Sequence, residues 1–183
     1  MENKLMMKLV VGTEAMFFLA LIMAFVYFSS AAGFKHQQTH VLDIKATGVF
    51  SLLLFSSSFT FWRAESNYKK GRVGRLKFWL VVTILLGLVF LLGQANEYHK
   101  LFDEHINLAS SIFGTSFFTL TGFHGLHVII GLIILLIVTR LAFSGDYDMG
   151  GSNVISTVGI YWHFVDIVWV FVFSIVYVIP HLF

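Results

Sequence analysis

Cysteine is absent from the 183 residues. No disulfide, thiolate zinc site or cysteine-bound copper centre can form within this chain. Proline occurs once, at Pro180, where it is expected to stop the last helix. Charge is scarce: Asp, Glu, Lys and Arg make up 12% of the residues, against 57% hydrophobic. A soluble domain of this length could not hide so much apolar surface, and the mean hydropathy of +0.83 points to an integral membrane protein. No Gly-rich phosphate loop, serine nucleophile elbow or pair of catalytic carboxylates occurs. There is also no internal repeat, low-complexity tract or loop long enough to fold alone, and no nucleic-acid partner is expected.

What is present is a series of five apolar segments: Val10–Ser29, Ala46–Trp62, Phe78–Gln94, Ser111–Thr139 and Ser156–Ile179. A spanning helix needs roughly 20 residues, so the chain reads as an all-α bundle of five transmembrane helices in a single membrane domain, residues 1–183. The second segment, 17 residues between Lys45 and Arg63, is short and would need tilt or a locally thin bilayer. The basic start before Val10 resembles a signal peptide, but Ser29–Gly33 is a poor cleavage site and Glu14 interrupts the run. The first segment is therefore expected to stay as a helix. Lys4, Lys8, Arg63, Lys69, Lys70, Arg72, Arg75, Lys77 and Arg140 would lie on one side, and only Lys35, Lys45 and Lys100 on the other. That asymmetry predicts a cytoplasmic N-terminus and a periplasmic C-terminus. The run from Lys69 to Arg75 is first a topology signal; its second reading is contact between Lys69, Lys70, Arg72 and Arg75 and anionic lipid headgroups.

The ionisable residues inside these runs are the informative ones. Asp166 is the only Asp, Glu, Lys or Arg after Asp148, and none of those types lies between Glu104 and Arg140, where His124 and His127 sit. An ionised Asp at the centre of a membrane helix costs on the order of 3 kcal/mol, so it normally has a partner. His124 and His127 share one helix face, as do His163 and Asp166. Depth along the helices places Glu14 near the fifth helix, so one buried cluster of Glu14, His127, His163 and Asp166 is expected. Three readings fit these residues: a hydrogen-bonded network pinning the helices, which is preferred; a proton- or ion-handling site; or an iron, zinc or haem site built from His124, His127, His163, Asp166 and Glu14. His36, His40, His99, His105 and His181 lack ligand spacing and read as solvated. Gly114, Gly122, Gly125 and Gly131 thin the fourth helix, which is therefore expected to be central. Trp162, Phe164, Trp169, Phe171 and Phe173 read as packing or lipid contacts.

Residues 117–131, with Thr121-Gly-Phe-His-Gly-Leu-His-Val128 at their centre, resemble a signature of subunit III of haem–copper cytochrome c oxidases. Tyr161-Trp-His-Phe-Val-Asp166 and the residues after it resemble a second. Gln94-Ala-Asn-Glu-Tyr98 is similar to the family's Gln-Ala-x-Glu-Tyr segment, and Glu14-Ala-Met-Phe-Phe18 to the segment holding its buried glutamate. The family fold has seven helices, so this chain is similar to the short bacterial form lacking the first two. The resemblance implies a non-catalytic subunit in a bacterial cytoplasmic membrane, with no haem or copper of its own. It would pack on subunit I, beside subunit II and a small subunit IV, bind phospholipid, and support proton uptake and oxygen access. The haem and copper would belong to the partner subunits of a proton-pumping complex, and a respiratory supercomplex is a further expectation. It also implies buried polar roles for Glu14, His124, His127, His163 and Asp166, and a membrane-edge position for Glu97. Alternatives are subunit III of a quinol oxidase, a stand-alone membrane metalloenzyme and a proton-coupled transporter.

Overall fold

The computed structural model describes residues 2–32, 42–109, 111–147 and 153–182. Lys35, His36, His40 and Asp148, and the side chain of His181, lie outside the described residues. The described residues form α1 (Glu2–Ala32), α2 (Ile44–Lys69), α3 (Val73–Asp103), α4 (Ile112–Ser144) and α5 (Val154–Phe173). A single wide turn at Ser174–Val178 and a short α6 (Ile179–Leu182) follow. The five longer helices are long and apolar enough to cross a membrane.

The helices outrun most of the apolar segments because local caps, not the loss of hydrophobicity, set their ends. Asp43 accepts from the Ala46 N–H at 3.0 Å and starts α2. The apolar stretch of that segment thus sits inside a helix of 26 residues, about 39 Å long at ~1.5 Å per residue. Ser111 caps Gly114 in the same way at 3.0 Å. Gly71 (φ 68°) turns α2 into α3 and Gly145 (φ 93°) ends α4, both in the left-handed region that glycine enters without a Cβ clash. Pro180 does not end the helical path as expected. It cannot donate an N–H, and just ahead of it the Ile179 N–H bonds Ser174 five residues back. One wide turn absorbs the interruption, and the backbone stays helical to Leu182.

Consecutive helices run antiparallel, as the contacts show. Thr47 meets Glu97 and Thr60 meets Thr83 across α2 and α3. Tyr98 meets Thr121 across α3 and α4, and Gly131 meets Trp162 across α4 and α5. α5 also lies against α2, and α1 packs chiefly on α4 and α5, leaving much of its length, including Met6, Met16 and Met23, exposed. Trp162 is the packing centre. Its ring lies where a Cβ on Gly87 of α3 or Gly131 of α4 would fall, and its Nε1–H donates to Ser57 of α2 at 3.1 Å. One α5 side chain therefore sets the spacing of three other helices.

A Cβ at residue 131 would come within 2.8 Å of the Trp162 ring, which is buried and held by Ser57. Gly131→Ala should destabilise the bundle by about 1–3 kcal/mol. Gly122→Ala, whose Cβ would make only an ordinary 3.7 Å contact with Tyr98, should not. Thermal unfolding in detergent separates the two. The Ala46 hydrogen bond and Lys100 hold the Asp43 carboxyl below its ordinary value of 3.8. The α2 cap is therefore complete above that ordinary value and is lost as pH falls through the lowered folded value. The protection factor of the Ala46 amide, followed by hydrogen exchange through the acid range, should drop there, and should drop at every pH in Asp43→Ala.

Candidate functional site

The polar side chains inside the bundle do not gather into one cluster. They form a ladder between α2 and α5, with two separate groups beside it. At one end Ser156 donates to Glu65 at 2.6 Å, and Lys69 pairs with the same carboxylate at 2.8 Å. Deeper, the Ser58 hydroxyl donates to Asp166 Oδ2 and accepts from His163 Nδ1 at 2.9 Å. That assignment fixes the His163 proton on Nδ1, because one hydroxyl hydrogen cannot serve both neighbours. Next, Trp162 donates to Ser57 and, two helical turns on, Trp169 donates to Ser51 at 2.8 Å. At the far end Glu97, itself buried, accepts from Thr47 at 3.1 Å and from Tyr177 at 2.7 Å. Tyr177 lies within the wide turn that precedes Pro180.

Glu14 joins α1 to α4 rather than to α5. Its Oε2 lies 3.1 Å from His127 Nε2, and no hydrogen bond among the described residues joins it to His163 or Asp166. The sequence placed it at the right depth, but depth does not specify azimuth, and the packing of α1 turns Glu14 toward α4. His127 Nδ1 lies 2.7 Å from the Phe123 carbonyl, which can only accept, so Nδ1 carries a proton. The Nε2–Glu14 contact then needs one more proton, on either partner. The pair is net neutral in both forms, which suits a carboxyl on a membrane helix whose side chain is one-third exposed. The Tyr161 hydroxyl donates to the His127 carbonyl at 3.2 Å and ties α5 to the same spot.

His124 behaves differently. It is fully buried, and neither ring nitrogen has a hydrogen-bond partner. Its ring stacks on Trp169 with centroids 4.6 Å apart, edge-on to Phe90 and Phe18. Among the described residues no three His, Asp or Glu side chains converge as a metal-binding group. His99 pairs with Asp103 at the exposed end of α3, and His105 is exposed.

Comparison with known proteins decides the family. The model of cytochrome c oxidase subunit III matches residues 2–180. The chain belongs to this family. The subunit 3 of Corynebacterium diphtheriae cytochrome c oxidase is 35% identical over 171 residues, 91% of this chain and 82% of that protein. The subunit 3 of Synechocystis is 34% identical over 168 residues, 91% of this chain and 71% of that protein. Both are named for cytochrome c oxidases, which favours that branch over the quinol branch. Subunit III is a component without a metal centre of its own, and it is a multi-pass membrane protein.

Several site residues of this subunit III were not picked out by the search for ionisable groups inside the apolar segments. Thr47, Ser51, Ser58 and Glu65 carry the α2 side of the ladder, and Gln94 and Tyr98 clamp α4 through the Thr121 carbonyl and hydroxyl. One signal was available: positions 47, 51, 58 and 65 recur at helical spacing, a polar stripe on one face of a membrane helix. Ser58→Ala leaves two polar partners unpaired and should destabilise the bundle by about 1–3 kcal/mol. Ser56→Ala, which removes only an exposed hydroxyl bonded to its own helix, should have no measurable effect. Asp166→Ala should weaken assembly for the same reason, and an effect of Asp166→Ala that persists unchanged in a Ser58→Ala background would show that the two do not act as a unit.

Proposed function

We propose that this chain is the non-catalytic subunit III of a proton-pumping cytochrome c oxidase in a bacterial cytoplasmic membrane, with its N-terminus on the cytoplasmic side. It holds subunit I in its working form and carries phospholipid at the interface. The observation that carries this reading is where the polar groups go. Glu14, His127, His163, Asp166 and Glu97 are each bonded to a neighbouring helix. That pattern supports a rigid accessory scaffold, with the apolar faces of α1 and α4 left for lipid and for partner subunits. The Lys and Arg asymmetry between the two ends supports the orientation.

The same chemistry supports a contribution to proton uptake during sustained turnover. Glu14 and His127 lie 3.1 Å apart, and the Glu14 side chain is partly exposed. Purification in mild detergent through a tag on this chain should bring down larger subunits with haem absorbance, and the chain stripped from them should be colourless. A lone polypeptide with its own stoichiometric metal or haem would overturn the reading in favour of a membrane metalloenzyme, and ion transport by the chain alone in liposomes would favour a transporter. Glu14→Gln should preserve assembly and the first turnover while altering activity over many turnovers; loss of the first turnover would make Glu14 part of the reaction itself.

A further inference from the structure

The end of the bundle where α2 turns into α3 folds into a pocket of about 330 Å³. Four cations line it: Arg63, Lys70, Arg72 and Arg75. No carboxylate does. The nearby acidic group, Glu65, is bridged to Lys69 and Ser156 instead; of the expected lipid-contacting set Lys70, Arg72 and Arg75 line the pocket, and Arg63 joins them. None of the four lining cations makes an ion pair among the described residues. Arg63 is held at the wall by its guanidinium lying over the Trp79 ring, 5.6 Å from the centroid. α3 begins at this rim with Arg72 as its cap residue and no side-chain cap, so the first N–H groups of the helix add their partial positive charge.

A topology signal needs positive charge on one side of the membrane; it does not need four unpaired cations converging on one concavity. The second wall tells what the concavity suits. Phe78 and Trp79 form its membrane-facing side, and Phe78 is 62% exposed. Leu85 and Leu92 follow Phe78 at intervals of seven residues and are also exposed, so one apolar stripe runs from the pocket along α3. A charged pocket continuous with an apolar stripe fits an amphiphile rather than a free ion.

We propose that this pocket binds the phosphate of an anionic phospholipid headgroup, with an acyl chain lying along Phe78, Leu85 and Leu92. The proposal deepens the lipid-carrying role above and rests on that reading. It is tested on the oxidase complex, delipidated and titrated with fluorescent phosphatidylglycerol, with phosphatidylcholine as the neutral control. Arg72→Gln with Arg75→Gln should weaken phosphatidylglycerol binding by roughly thirtyfold, at about one interfacial cation's worth of attraction for each charge removed, and leave phosphatidylcholine unchanged. Arg72→Lys with Arg75→Lys, which keeps the topology signal, should retain most of the binding. Lys4→Gln with Lys8→Gln removes the same charge from the same expected side and should have little effect. Should the double glutamine variant fail to accumulate, Arg63→Gln alone should weaken binding by roughly fivefold. Equal loss in the Lys4 and Lys8 variant, or no loss in the Arg variants, overturns the proposal. So does inorganic phosphate that binds as tightly as phosphatidylglycerol and displaces it, which would make this an ion site. Co-purification of the other oxidase subunits is scored on the same samples. If they are absent the accessory reading fails, whereas lipid binding normalised to this chain judges the pocket separately.

Discussion

A hydrocarbon interior offers no water to a buried hydroxyl, carboxyl or imidazole, so these groups are best satisfied inside the protein, and most of the buried ionisable ones here find a partner on another helix. The arrangement of this bundle follows from that constraint. α2 is the most polar of the helices and cannot face lipid with its Ser and Thr stripe. It therefore lies against α5, whose Trp162, His163, Asp166 and Trp169 supply the complementary groups. Polar contacts between membrane helices contribute only about 0.6–2 kcal/mol each. Their effect on register is larger than that figure suggests, because a slip of one residue leaves several groups unpaired at once.

Close packing supplies the second level of order. The Trp162 ring fits only because Gly87 and Gly131 have no side chain where it lies. Phe61 stands over Gly159, and Gln94 over Gly125, in the same way. Large groups facing small ones let backbones approach where lipid cannot follow, and dispersion replaces the hydrophobic drive that two apolar helices lack in a bilayer. The tryptophans, readable from the sequence as packing residues, serve also as hydrogen-bond donors to α2.

A subunit built this way has few polar groups left for chemistry. Its carboxylates and most of its membrane histidines are occupied in holding helices, and His124 sits as an aromatic ring among Phe18, Phe90 and Trp169. The polar groups still open are at the margins: the partly exposed Glu14–His127 pair and the unpaired cations at the α2–α3 turn. Both reach the surface of the chain.

Hydropathy determined that the chain is helical and crosses a membrane five times over, because a spanning helix is a local object whose length and composition are its signal. Four stretches around Glu14, Gln94–Tyr98, His124–His127 and His163–Asp166 carried the family. Sequence also picked out the residues that needed partners, since a charge in an apolar run is conspicuous. It did not say which partners. Glu14 turned to His127 rather than to α5, Asp166 to Ser58, and Glu97 to Thr47 and Tyr177. Those pairings depend on helix azimuth, on the Gly–Trp contacts that set helix spacing, and on a wide turn before Pro180. These are relations between distant segments, and only the folded bundle decides them.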